Sequence, residues 1–320
     1  MMITAERLGS LRRCSAGLVL ALIIAAVPQY GYAHGTVGKR VFIEPLFAED
    51  ANIKNELILP RSEFLRFPDG TVRSFGFSLE KQLWQDRWSV SVEQGVASVL
   101  MNRNAISGFD NVEISTKYAA YKNGPHEFIL SPTLGVTLPT GSRKFVERHS
   151  AVSTGLLWAK GFGDLPGGWL RPLAVQADTL VEEFVSGQHK RRVVYDMVVE
   201  YSIPYLNHYI RKADGAYDTD DSLRVGSSFK AILGDMFPFV EFNGETPLNG
   251  RNEHTSTFIR PGILHVGHYL QVTIAADIPL RSAPPTPSRR VGAVIMFDFF
   301  LDEINHAFRW TPFGKGNTGR

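Results

Sequence analysis

The sequence predicts an all-β fold, an antiparallel transmembrane β-barrel of about twelve strands. Three observations predict it: an export signal at the N-terminus, long segments in which apolar and polar residues alternate, and connections that alternate between short and long. Alternation gives each strand one apolar and one polar face, which a closed barrel in a bilayer requires.

Residues 1–33 are predicted to form a secretory signal peptide. Arginines precede an uncharged apolar run at residues 16–27, AGLVLALIIAAV, and the small residues Gly31 and Ala33 suit a signal peptidase. The run is about a dozen residues long, whereas a helix that spans a membrane needs about 20. Cleavage is therefore favoured over a retained anchor, and the mature chain would begin at His34.

The composition excludes some kinds of chemistry. Cleavage of the signal would remove Cys14, the only cysteine, so disulfides, thiol proteases and zinc–cysteine sites are not expected in the mature chain. The formal net charge of +2 gives no reason to expect a nucleic-acid partner.

The predicted strands are long and amphipathic. Residues 270–280, LQVTIAADIPL, carry an apolar residue at every second position, and residues 128–138 and 193–203 repeat the pattern. Soluble strands average five or six residues, whereas strands that cross a bilayer at a tilt need about 9–11, so a barrel is favoured over a soluble β-sandwich. The twelve candidate strands lie at 56–67, 71–84, 87–100, 111–122, 126–138, 151–162, 169–184, 191–204, 236–247, 257–267, 269–280 and 290–301.

The connections set the predicted orientation. Short turns such as Gln85–Asp86 alternate with longer polar connections such as 102–111 and 140–150. Outer-membrane barrels have short periplasmic turns and longer extracellular loops, and an even strand count places both termini in the periplasm. With this parity, 206–235 is a long periplasmic excursion.

Four regions follow from these assignments. They are a signal peptide at 1–33, a periplasmic N-terminal segment at 34–55, an outer-membrane barrel at 56–303 and a C-terminal tail at 304–320. The length and position of residues 46–59 also suggest a plug that enters the lumen. The expected location is the outer membrane, and the expected state is a monomer surrounded by lipid.

Several phrases resemble a known family. They are KGFGDLPGGWLRP at 160–172, EYSIPYL at 200–206, FPFVEFNGETPL at 237–248 and FFLDEI at 299–304. The chain resembles, over residues 34–313, transporter-like outer-membrane barrels of proteobacteria assigned to phenol-degradation (MetA-pathway) proteins. This resemblance implies passage of small, often aromatic or hydrophobic, compounds across the outer membrane. The chain departs from the usual barrel ending because residues 301–320 follow the last strand.

The polar faces predict the lumen. Carboxylates outnumber bases there, which would favour cations and disfavour anions. The alternative is that these groups pair across the barrel with Arg or Lys and close it, as side chains fill small barrels. The predicted lumen-lining residues are Glu93, Glu113, Lys117, Asp196, Glu200, Glu241, Glu245 and Asp277.

The leading functional prediction is therefore passage of a small solute without covalent chemistry or a cofactor. A non-conducting structural or metal-binding barrel is the alternative, because an N-terminal His34 offers copper an amine and an imidazole, with His208 as a candidate second ligand. His265 and His268 are a weaker pair, since residues three apart on a strand face opposite ways. A barrel-type lipid hydrolase is a third reading, but the sequence contains no G-x-S-x-G and no H-E-x-x-H motif.

Overall fold

The computed structural model describes residues 35–84, 86–102, 104–143, 149–186, 190–207, 233–249, 254–281 and 290–313. The predicted signal peptide, His34 and His208 lie outside the described residues, and so does most of the predicted periplasmic excursion. Those assignments remain predictions.

The fold is a closed antiparallel barrel of twelve strands, which confirms the predicted fold class. Neighbouring strands pair in chain order, and the last strand pairs antiparallel with the first barrel strand, Phe299 opposite Leu57. The strands are β1 (Thr36–Val37), β2 (Arg40–Val41), β3 (Glu56–Phe67), β4 (Gly70–Trp84), β5 (Trp88–Met101), β6 (Asn104–Phe109), β7 (Val112–Tyr118), β8 (Tyr121–Asn123), β9 (Phe128–Leu138), β10 (Ala151–Gly161), β11 (Leu173–Phe184), β12 (Arg191–Tyr201), β13 (Met236–Pro247), β14 (Ser256–Val266), β15 (Leu270–Arg281) and β16 (Arg290–Phe300).

One barrel strand is broken into three pieces. β6 and β7 both pair with β5, and β7 and β8 both pair with β9, so together they form the fourth strand of the ring. The prediction of a polar loop at 102–111 was wrong, because residues 104–109 continue the hairpin with β5. The backbone N–H of Asp110 still bonds to the carbonyl of Gly95, at 2.8 Å, across the first break.

The two faces of the wall differ as the alternation predicts. Large apolar side chains point outward and are about half exposed, as at Leu156 (51%) and Ile274 (52%). Polar side chains on the neighbouring positions, such as Gln176, Gln271 and Thr273, are buried inside the barrel. An apolar exterior around a polar interior is the arrangement of a barrel in lipid.

The helices are short. Those whose full extent the structure describes include α1 (Ile203–Tyr205), α2 (Leu301–Ile304) and a 3₁₀ turn at His306–Arg309. Within the described ranges, no helix has the length and apolar character needed to cross a membrane.

The N-terminal segment lies inside the barrel. Backbone amides of Ile43, Glu44 and Leu46 donate to inward-facing side chains on β12, β15 and β13. Residues on the opposite wall also contact it, since Ser131 of β9 donates to the carbonyl of Ala51 at 2.6 Å. Contacts on several sides of the ring require an interior position. Residues 43–54 therefore lie in the lumen, whereas Arg40 contacts the turns at one end of the wall, and the assignment of residues 34–55 to the periplasm stays a prediction.

The C-terminal tail crosses the outside of the barrel where the last strand, β16, pairs with the first barrel strand, β3. The N–H of Phe313 donates to the carbonyl of Leu83 at 2.9 Å, and its ring stacks on Trp88 with the centroids 5.6 Å apart. Lys81 donates to the carbonyls of Phe308 and Trp310, at 2.6 and 2.7 Å. The tail thus runs from the end of β16 past β3 to β4 and β5.

Candidate functional site in the barrel lumen

Two cavities occupy the lumen beyond the N-terminal segment. The first, of about 260 Å³, has residues 44–50 of the segment along one side. The second, of about 250 Å³, extends to Thr137 and His149, which flank the long connection between β9 and β10. Five charged side chains line both cavities, so the two meet at one ring: Arg61, Glu93, Glu113, Glu182 and Arg192.

Ion pairs order this ring, named here the charged ring. Arg61 pairs with Glu93, and Arg192 pairs with Glu182 and, at 2.9 Å, with Glu245. Glu113 has no ion pair among the described residues. The ring holds more negative than positive charge, and this imbalance would attract cations in a low-dielectric wall.

Glu241 is the main anchor of the N-terminal segment. Its two carboxylate oxygens accept the backbone N–H groups of Leu46, Phe47 and Ala48 at 2.8–2.9 Å. The carboxyl group is fully buried, and three amide donors satisfy its charge. Hydrogen bonds to a charged group are each worth about 1.5–3 kcal/mol, so this contact fixes the middle of the segment.

Other wall carboxylates repeat the pattern. Amide hydrogens of the segment reach Asp178 at 2.7 Å, Glu80 at 3.1 Å and Glu200 at 3.3 Å. The segment has little regular structure of its own, so its backbone donors need partners from the wall. The buried carboxylates of the polar strand faces supply them.

Lysines of the lumen neutralise part of this acidity. Lys54 contacts the carboxylates of Glu44 at 2.7 Å and Glu56 at 3.5 Å, and Lys117 contacts Glu80 at 2.8 Å. Sequence reasoning placed Lys117 in the lumen but did not identify Lys54. Its position just before the first strand carries no signal that it lies inside.

Apolar side chains also pack inside the barrel, which the alternation did not predict. Ile43 and Leu46 of the segment join a buried cluster with Phe237, Phe239 and Met296 of the wall. Sequence reasoning assigned apolar residues to the lipid face, yet these residues lie on the inner faces of β13 and β16. They give the segment an apolar packing surface in addition to its polar contacts.

Arg40 anchors the start of the segment. Its guanidinium donates to the carbonyls of residues 171, 172 and 173, contacts Glu127 at 3.4 Å and lies 4.1 Å over the Tyr205 ring. The Tyr205 hydroxyl donates to Glu127 at 2.9 Å. Burial, followed by the charge of Glu127, raises the pKa of Tyr205, so its hydroxyl keeps its proton.

Two glycines make room for this cluster. A Cβ at Gly161 would lie 2.2 Å from a Glu127 carboxylate oxygen, and one at Gly163 would lie 2.0 Å from the Tyr205 hydroxyl. Both belong to the phrase at 160–172, which carries the family resemblance but has no pattern of residues that indicates a site. The cluster itself was missed because its members are far apart in the chain.

The remaining predicted site residues have the following places. Asp196 lines the first cavity, and Asp277 pairs with Arg260 at 2.8 Å. The Arg260 guanidinium stacks 3.9 Å above the Phe47 ring of the segment. His265 is in β14 and His268 in the following turn, and within the described ranges no three His, Cys, Asp or Glu side chains are grouped to hold a metal ion.

The fold has counterparts among solved structures. The COG4313 outer membrane channel from Pseudomonas putida F1 matches with a TM-score of 0.52 at 11% identity, over 81% of this chain and 99% of that one. This likeness, together with ring closure and the apolar exterior, decides the class. The chain is an outer-membrane β-barrel.

Two further barrels score lower. The NanC porin has a TM-score of 0.49 at 10% identity, and the KdgM porin one of 0.44 at 9% identity, each over 76% of this chain and 98% of its own. At such identities the likeness shows the fold alone. No protein-family model and no curated protein matches the sequence. Membership of the phenol-degradation family therefore stays a prediction.

Proposed function

We propose that this barrel is an outer-membrane channel for a small solute and that residues 36–55 close it in the state described. The observation that supports the proposal most is the pair of connected cavities inside a closed wall. They run from the end that carries the β9–β10 connection down to the N-terminal segment. A structural barrel has no need of such a charge-lined path, because small barrels fill their interior with side chains.

The lining favours a polar solute. The first cavity is lined mainly by carboxylates, hydroxyls and a few bases, with Leu46, Phe47 and Leu180 among the apolar exceptions. The family resemblance implies an aromatic or hydrophobic solute, and such a solute would leave these charges without solvation. We therefore favour a polar or charged solute over a hydrophobic one.

Passage requires the segment to move. It fills the lumen beside the first cavity and is held by Glu241, by the Arg40 cluster and by apolar contacts. These contacts are non-covalent, and the segment is joined covalently to the wall only at β3, so it can leave without breaking the barrel ladder.

Single-channel conductance of the mature chain in planar bilayers tests the proposal. We expect a small closed-state conductance interrupted by larger openings, and uptake of small polar solutes into liposomes. Complete absence of conductance and of uptake, in protein shown to be folded, would overturn the channel. Neither the metal-binding nor the lipid-hydrolase alternative is favoured by an observation among the described residues.

A further inference from the structure

The first cavity is strongly acidic. Ten carboxylates line it against three bases: Glu44, Glu49, Asp50, Glu56, Glu80, Glu93, Glu113, Asp178, Glu182 and Asp196 against Arg61, Lys117 and Arg192. The bases and Lys54 pair with six of these acids. Among the described residues, Glu49, Glu113, Asp178 and Asp196 have no ion-pair partner.

Asp178 and Asp196 form the centre of this unbalanced charge. They lie directly opposite each other on β11 and β12. Both line the first cavity and are more than nine-tenths buried, with exposed fractions of 1% and 8%. One oxygen of Asp178 accepts the N–H of Glu49 at 2.7 Å, but Oδ1 of each aspartate has no hydrogen-bond partner.

Two charged aspartates in these positions lower the stability of the barrel unless a bound group compensates for their charge. A buried carboxylate oxygen that accepts no hydrogen bond has lost its hydration without compensation, and like charges directly opposite on neighbouring strands repel each other. Replacing them with apolar residues would remove both costs. Both side chains line the cavity, so a positively charged ligand bound there would offset their charge.

The size of the cavity and the donor set select the kind of cation. The cavity of about 260 Å³ is several times the roughly 30 Å³ that one water molecule occupies in the liquid. In the described part of the chain, no three acidic or histidine side chains converge as metal ligands. An ammonium group carries three donors on one charged atom and can serve two carboxylates at once.

We propose that Asp178 and Asp196 form a subsite for the ammonium group of a small organic cation. The inference deepens the proposed function and rests on it, since it names the solute class of the same lumen. The remaining cavity volume accommodates the carbon chain of the cation next to Leu180 and Phe47.

Binding of n-butylammonium to the full mature chain in detergent, by isothermal titration calorimetry, tests the subsite. Neutral 1-butanol of similar size is the comparison ligand, and calcium chloride is the metal comparison. We expect wild-type protein to bind butylammonium and not butanol. The double variant Asp178→Asn and Asp196→Asn should weaken binding at least ten-fold, while its thermal midpoint shows that it folds.

Glu183→Gln is the matched control on the same strand. Glu183 pairs with Arg191 and lines neither cavity, so this variant should bind butylammonium as wild type does. Equal binding by wild type and the double asparagine variant would overturn the subsite, as would aspartate-dependent binding of calcium alone. Conductance without butylammonium binding overturns the subsite only, whereas binding without conductance overturns the channel only.

Discussion

At the scale of single residues, buried carboxylates hold the N-terminal segment through its backbone. Glu241 accepts three successive amide hydrogens, a task for which a carboxylate suits better than a neutral amide, because both of its oxygens are charged acceptors. The alternation of β13 predicts that Glu241 faces inward. Nothing in the sequence predicts that its partners are residues 46–48.

Glu241→Gln should loosen the middle of the segment. Glutamine keeps one acceptor oxygen and turns an N–H₂ group toward the same donors, which should cost about 3 kcal/mol locally. Hydrogen exchange at the amides of residues 46–48 should then be about 100-fold faster. Glu183→Gln is the control, and exchange rates that match wild type in the Glu241 variant would contradict this role.

Gly163→Ala should disturb the Arg40 cluster. The new Cβ would lie 2.0 Å from the Tyr205 hydroxyl and 2.3 Å from a Glu127 oxygen, so the buried pair must separate. We expect faster hydrogen exchange in residues 40–43 and a lower thermal midpoint. Gly167→Ala is the matched control, because its nearest contact is a Leu170 methyl group at 3.3 Å. Similar exchange in the two variants would show that the cluster does not hold the segment.

At the scale of elements, the sequence predicts the strands of the wall well. The sixth barrel strand, β10, is predicted at 151–162 and found at 151–161, while the seventh, β11, is predicted at 169–184 and found only from Leu173. Alternation carries this information because each strand separates lipid from lumen. It does not report the breaks around Asp110 and Ala119, where local pairing changes partner without changing the pattern.

Alternation cannot locate elements that lie off the wall, and only the length and position of residues 46–59 suggest a plug in the lumen. Residues 42–55, FIEPLFAEDANIKN, show no alternation, and their position depends on contacts with side chains as distant in sequence as Glu241 and Gln271. The apolar packing surface at Phe237 and Phe239 was not predicted, for a related reason. Alternation distinguishes two faces of a strand but does not say what packs on the inner one.

The C-terminal tail offers a prediction at this scale. Phe313→Ala removes the ring that stacks on Trp88, and an aromatic pair contributes about 1 kcal/mol beyond its burial. Urea unfolding in detergent should show a loss of that size. Trp310→Ala is the control, since that side chain is 68% exposed and should change stability little. Equal losses in both variants would contradict a specific tail contact.

At the scale of the whole molecule, the barrel and the segment inside it have separate roles. The wall is a continuous hydrogen-bonded ring, whereas the segment is held by side-chain contacts that can break together. The cavities stop at the segment, and the charged ring lies between them. The proposed opening of the channel by movement of this segment rests on this difference between the two sets of contacts.

A reversible cross-link tests this claim most directly. The Ser131 hydroxyl donates to the backbone carbonyl of Ala51 at 2.6 Å, so the two residues are in contact, and oxidation of the double variant Ala51→Cys and Ser131→Cys, with the disulfide verified by mass spectrometry, would link segment and wall. Each single cysteine variant is the control. In planar bilayers, the account predicts closed channels when the pair is oxidised and restored openings after reduction. Equal conductance before and after reduction would contradict it.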